Sequence, residues 1–151
     1  MVGSTFSQQV RARLGQPTLV DEDSRSAFAG WLFSEEGLVV QQVIGHVSTR
    51  LVDTSVKLCE RARSTTKVPL ILMDDLAEVT SYDSAARVKS VDWSKTNQDK
   101  IEEIHLLFHS KLIAMAVSVA NIALRDPIQA YSAREPFEQR LLEALRRPRR
   151  M

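Results

Sequence analysis

Four carboxylates crowd one short stretch of this chain: Asp74, Asp75, Glu78 and Asp83. Paired carboxylates serve general acid–base chemistry, and oxygen-rich clusters hold hard cations. Neither chemistry finds the spacing it needs, since no EF-hand loop is present and carboxylates near a helix start are commonly solvated. An acid–base enzyme built on Asp75 and Asp83 is therefore the least favoured of three functional classes. His105 and His109 would share a helix face. On the strand expected there they would instead lie about 13 Å apart at ~3.3 Å per residue, too far to chelate one ion. His46 has no cysteine or carboxylate cluster near it in sequence and reads as a residue at a helix entrance. Ser-His-Asp chemistry lacks its Gly-x-Ser-x-Gly elbow, and no Gly-rich phosphate loop is found. No catalytic residue, metal or cofactor is expected.

The acidic stretch lies where an apolar run, Val68-Pro69-Leu70-Ile71-Leu72-Met73, stops and passes through Thr80-Ser81-Tyr82-Asp83-Ser84 into a helical pattern. That is a strand, a loop and a capped helix, with Ser81 or Asp83 accepting the free amide hydrogens. Open α/β sheets bind partners at the carboxyl ends of their strands. The expected partner-binding edge is thus Asp75, Thr80, Ser81, Tyr82, Asp83, Ser84 and Arg87.

The flanking elements follow from periodicity. Ala27 to Phe33 and Leu38 to Ile44 read as a hairpin around Ser34-Glu35-Glu36-Gly37, with Trp31 and Phe33 on one face. A helix from Gly45 through Arg63 carries Leu51, Ser55, Leu58, Cys59 and Ala62 on its inner stripe, and Cys59 reads as an inert core thiol. The helix after Asp83 runs to about Trp93, and Ile104 to Phe108 is a further strand. Ser110 caps a helix whose core, Leu112 to Leu124, is apolar nearly all round and should be covered on two sides. Asp126-Pro127 ends it, Ile128 to Ser132 gives a last strand, and a helix starts at Glu135-Pro136-Phe137. The expected division is a flexible N-terminal arm over 1–26, one domain over 27–146 and a basic tail over 147–151, the last two arginines being Arg149 and Arg150. The order ββαβαβαβα implies an α/β fold with a mixed, mostly parallel sheet.

With 20 Lys+Arg against 19 Asp+Glu in 151 residues, no net field steers the chain toward nucleic acid. The N-terminal sequence has no signal-like apolar core and Cys59 has no partner cysteine, so a reducing, cytoplasmic setting is expected. The apolar helix is too short to span about 30 Å of hydrocarbon.

Three segments carry a family resemblance: Leu70 to Leu76, Val79 to Arg87, and Ser110 to Asn121. In their order they resemble the STAS fold of anti-sigma factor antagonists, and more closely the STAS-like bacterial proteins grouped with CRAL-TRIO lipid-binding domains. The antagonists open the helix with Asp-Ser-Ser/Thr-Gly, and a kinase partner phosphorylates the second hydroxyl residue. Here the run is Asp83-Ser84-Ala85-Ala86, so Ala85 offers no acceptor and Ser84 is the candidate phosphorylation site. The resemblance implies a non-enzymatic regulatory module with a protein partner, of kinase or other signalling type. The alternative is a carrier of a lipid-like or other apolar molecule in a cavity beside the Leu112–Leu124 helix. Ser110 and Lys111 form a candidate anion-binding pair, and the small residues Ala114, Ala116, Ser118, Ala120 and Ala123 would admit either the sheet or a second copy in a homodimer.

Overall fold

In β3 (Leu38–Val47), Val39 and Val43 face one way and Leu38 and Val40 the other; β4 (Leu70–Tyr82) repeats this with Leu70 and Leu72 against Ile71 and Met73. Strands apolar on both faces belong in the middle of a sheet covered on both sides. The computed structural model, which describes residues 5–124 and 128–146, places them there. Strands run in the order β1 (Leu19–Glu22), β2 (Ser26–Phe33), β3, β4, β5 (Ile101–Leu107) and β6 (Ile128–Tyr131). The first three are antiparallel, and β3 through β6 are parallel.

The parallel connections are the helices α2 (Thr49–Thr65), α3 (Ser84–Thr96) and α4 (Lys111–Ala123). They cover one face, where Leu51, Leu58, Ala62, Ile113 and Val117 meet Val39, Leu72 and Ile104. The opposite face carries α1 (Gln8–Leu14) and α5 (Arg134–Arg146), whose Val10, Leu14, Phe137 and Leu141 pack on Trp31, Val40, Ile71 and Met73. The expected α/β class with its mixed sheet is present, as is the hairpin pairing Phe33 with Leu38.

Three expectations are corrected. First, residues 5–26 do not form a flexible arm: the Ser7 hydroxyl accepts from the Val10 amide at 3.3 Å to start α1, and Gly15 at φ 68° ends it. Phe6, Val10 and Leu14, spaced by one helical turn, are buried, and β1 adds an edge strand tied to α2 by Arg50, which donates to Asp21 at 2.6 Å and to Asp23 at 2.7 Å. Second, β4 does not stop at Met73 but continues to Tyr82, so the polar stretch is strand rather than loop. Third, α4 is covered on one side: Ile113 and Val117 are buried, whereas Met115, Val119 and Ile122 are 69%, 54% and 79% exposed. The expected helix stop at Asp126-Pro127 and the basic tail over 147–151 lie outside the described residues.

Candidate functional site

Beyond Asp75, β4 has lost its β5 neighbour and pairs with β3 alone, through two register shifts, as far as Val47 and Tyr82. Gly45 permits this path: its φ is 93°, and a β-carbon there would collide with the Arg25 carbonyl oxygen, which accepts from the His46 amide at 3.2 Å. The projecting ribbon carries the rim expected from sequence. Thr80, Asp83 and Ser84 are exposed, and Ser81, Tyr82 and Arg87 are half-buried. Asp83 occupies the N-cap of α3 without making a side-chain cap bond. Its carboxylate instead faces His46, which lies buried between Ser81 Oγ at Nδ1 (2.7 Å) and Asp83 Oδ1 at Nε2 (2.9 Å). A carboxylate only accepts, so Nε2–H donates to Asp83 and, in the neutral ring, Nδ1 accepts from Ser81.

In sequence His46 reads as a helix-entrance residue with no Ser-His-Asp motif around it; the β3–β4 pairing brings Ser81, His46 and Asp83 together. No sequence motif announces the contact, because His46 and Ser81 meet only through strand register. With the Asp83 side chain 48% exposed, water competes for the carboxylate.

Asp75 is the part of the expected edge that the structure removes. It is 1% exposed, on the face covered by α1 and α5. Arg134 grips it from α5 at 2.9 and 3.2 Å, Gln42 donates at 3.0 Å, Thr5 at 3.1 Å and the Ala77 amide at 3.1 Å. Both oxygens are therefore occupied, and no partner can reach them. The acidic group does not converge: Asp75 faces one side of the sheet and Asp74 the other, Glu78 is exposed, and Asp83 lies on the rim. No metal-holding group of three His, Cys, Asp or Glu residues occurs among the described residues.

Asp74 faces a cavity of about 200 Å³ between the sheet and α2, α3 and α4. Among the side chains that α3 and α4 give to its wall, Ala86, Ser94, Ala116 and Ala120 are small and leave it room. Its walls are mostly apolar, with Leu72, Ile104 and Val117 among them. Gln41 Nε2 donates to Asp74 Oδ1 at 2.9 Å, and Ser55 Oγ donates to Gln41 Oε1 at 2.5 Å. Asp74 is half-buried by area, but the surface it retains faces the cavity, so burial governs its chemistry. Desolvation, helped by the nearby Asp75 charge and opposed by the Gln41 bond, pushes its carboxyl up to about 7. Cys59 lines the same cavity, and burial raises its thiol far above the ordinary range, as expected of an inert core cysteine.

His105 is fully buried, not paired with the exposed His109, and accepts from Tyr131 Oη at 2.8 Å while donating to Glu103 at 2.7 Å. Burial holds the ring below its usual pKa although the Glu103 bond opposes this; Glu103 is lowered despite burial because His105 and Arg140 both donate to it. Ser110 Oγ is used in accepting from the Leu112 amide at 3.1 Å, and Lys111 is exposed.

No family model matches the chain, and no curated protein matches it. Among solved structures it is similar to an uncharacterized protein of the DUF3478 family with a SpoIIAA-like fold from Shewanella loihica PV-4, at 12% identity and a TM-score of 0.56. The likeness covers 82% of this chain and 90% of that one. The fold is SpoIIAA-like, hence STAS-like, as the resemblance of the three segments implied.

Proposed function

We propose that this chain is a non-enzymatic regulatory module that docks a signalling protein on the rim formed by Thr80, Ser81, Tyr82, Asp83, Ser84 and Arg87. The observation that carries this reading is a polar rim, with Thr80, Asp83 and Ser84 exposed, held in shape by buried His46 and followed one turn into α3 by the exposed Val88. Ser84 is exposed at the start of α3, where a phosphate would meet free amides but also the Asp83 charge. Affinity capture tests the reading: a specific partner retained by the wild type should be lost with Asp83→Lys, and an unchanged set of captured proteins counts against it. The same preparation should show no Ser81-dependent acyl-enzyme burst with p-nitrophenyl acetate; a burst abolished by Ser81→Ala would overturn the non-enzymatic part.

A second reading, a carrier or sensor of a small apolar molecule, is favoured by the cavity beside α4. Its volume, about 200 Å³, exceeds the roughly 150 Å³ of an engineered apolar cavity that admits benzene. Toluene titrated into the protein should shift the amide resonances of residues lining the cavity, and absence of any shift rejects the carrier.

A further inference from the structure

The cavity under α3 and α4 is not uniformly apolar. Asp74 Oδ1 accepts from Gln41, while Oδ2 has no hydrogen-bond partner among the described residues and keeps accessible surface on a residue that lines the cavity. Among those residues no Lys or Arg approaches the carboxyl as a hydrogen-bonding partner, although Arg87 forms part of the cavity wall. An acid in hydrocarbon surroundings is stable when neutral or when paired with a cation, and its ionised form accepts strongly from a charged donor. The upward displacement of this carboxyl, to about 7, is what burial without such a cation produces.

We propose that the cavity binds a single-ring apolar molecule bearing one amine, whose ammonium donates to Asp74 while the ring lies against Leu72, Ile104 and Val117. This rests on the carrier reading above and adds the ligand class. Gln41, itself held by Ser55, occupies Oδ1 and leaves Oδ2 for the incoming donor. The Asp74 position then acts as the selective element and the apolar walls as the size filter.

The test compares benzylamine, benzyl alcohol and toluene by NMR titration of the full chain, with Asp74→Asn and Ala120→Leu as variants. The first substitution keeps the oxygen that accepts from Gln41 and removes the charge; the second fills the cavity without touching Asp74. Benzylamine is expected to bind wild type about tenfold or more tightly than toluene, as a charge-assisted hydrogen bond warrants. That advantage should vanish in Asp74→Asn, with toluene unaffected, and Ala120→Leu should exclude all three. Equal binding of the three probes to wild type leaves the cavity as an apolar site and overturns amine recognition. Binding of none overturns both the amine proposal and the carrier reading. Benzylamine binding that survives Ala120→Leu places the amine elsewhere and overturns the proposal too; the wild-type comparison decides even if a variant does not fold.

Discussion

Asp74 and Asp75 are adjacent in the chain, yet one faces the cavity beside Gln41 and the other is clasped by Arg134. Their substitution effects should differ accordingly. Below pH 4 the Asp74 carboxyl keeps its proton in both folded and unfolded chains. From there up to about 7, the unfolded chain releases the proton while the folded one retains it. This group therefore makes stability fall as pH rises through that window, by at most about 1.4 kcal/mol per pH unit, with the full penalty present above it. Denaturant titrations of Asp74→Asn should show a stabilisation that is small at pH 4 and grows toward pH 8; a difference independent of pH would mean that the carboxyl is hydrated. Asp75→Ala has the opposite character, since it removes the buried carboxylate that Arg134, Gln42 and Thr5 all donate to, leaving Arg134 with Thr5 and the more distant Glu138. A loss of about 3 kcal/mol is expected at neutral pH, and a loss under about 1 kcal/mol would show that water already solvates the pair.

At the scale of elements, α4 is the segment whose composition and environment disagree. Its sequence demands cover on two sides, but its outward positions Met115 and Ile122 stay in contact with solvent. Met115→Lys with Ile122→Lys should therefore change stability by less than about 0.5 kcal/mol while raising solubility. A markedly larger loss, or conversion of a dimer to a monomer in sedimentation, would reveal that this side is covered in solution. β4 teaches a related lesson. Its apolar run ends at Met73, and Asp74, Asp75 and Glu78 look like a loop, yet Leu76 and Val79 continue to pack against the core of the α2–α4 face. Two register shifts against β3 blur the alternation that would have marked these residues as strand.

At the scale of the whole molecule, the N-terminal residues complete the second hydrophobic layer. Phe6, Val10 and Leu14 are buried against Trp31 and α5, the Ser7 amide donates to Glu138 at 3.0 Å, and Trp31 Nε1 donates to the Gly15 carbonyl at 3.0 Å. Deleting residues 1–16 should cost on the order of 5 kcal/mol, from side-chain burial of roughly 1.5–3 kcal/mol each. Thermal unfolding of the truncated chain would report it, and an unchanged midpoint would show the segment to be dispensable. The central strands and the crossover helices were legible in sequence because each rests on local periodicity, whereas the cap expected from Ser81 or Asp83 is absent, since both side chains turn to His46 instead. The first helix was not legible, because at 7 residues it is too short for a periodic signal and Gly15-Gln16-Pro17 reads as a break. The His46–Ser81, Gln41–Asp74 and Asp75–Arg134 contacts were equally hidden, since each joins residues distant in the chain.

The pairing of Gln41 with Asp74 and of Gln42 with Asp75 across the two central strands has one more consequence. Leu70, Ile71, Leu72 and Met73 are greasy at every position, so hydrocarbon alone hardly distinguishes the native alignment of these strands from one displaced by a single residue. A displaced alignment would send Asp75 into the oily compartment, or Asp74 toward Arg134 and its neighbour into a place with no amide to receive it. The tandem Gln-Gln and Asp-Asp thus work as a two-toothed key, making misthreaded versions of the sheet costly once the helices close over it.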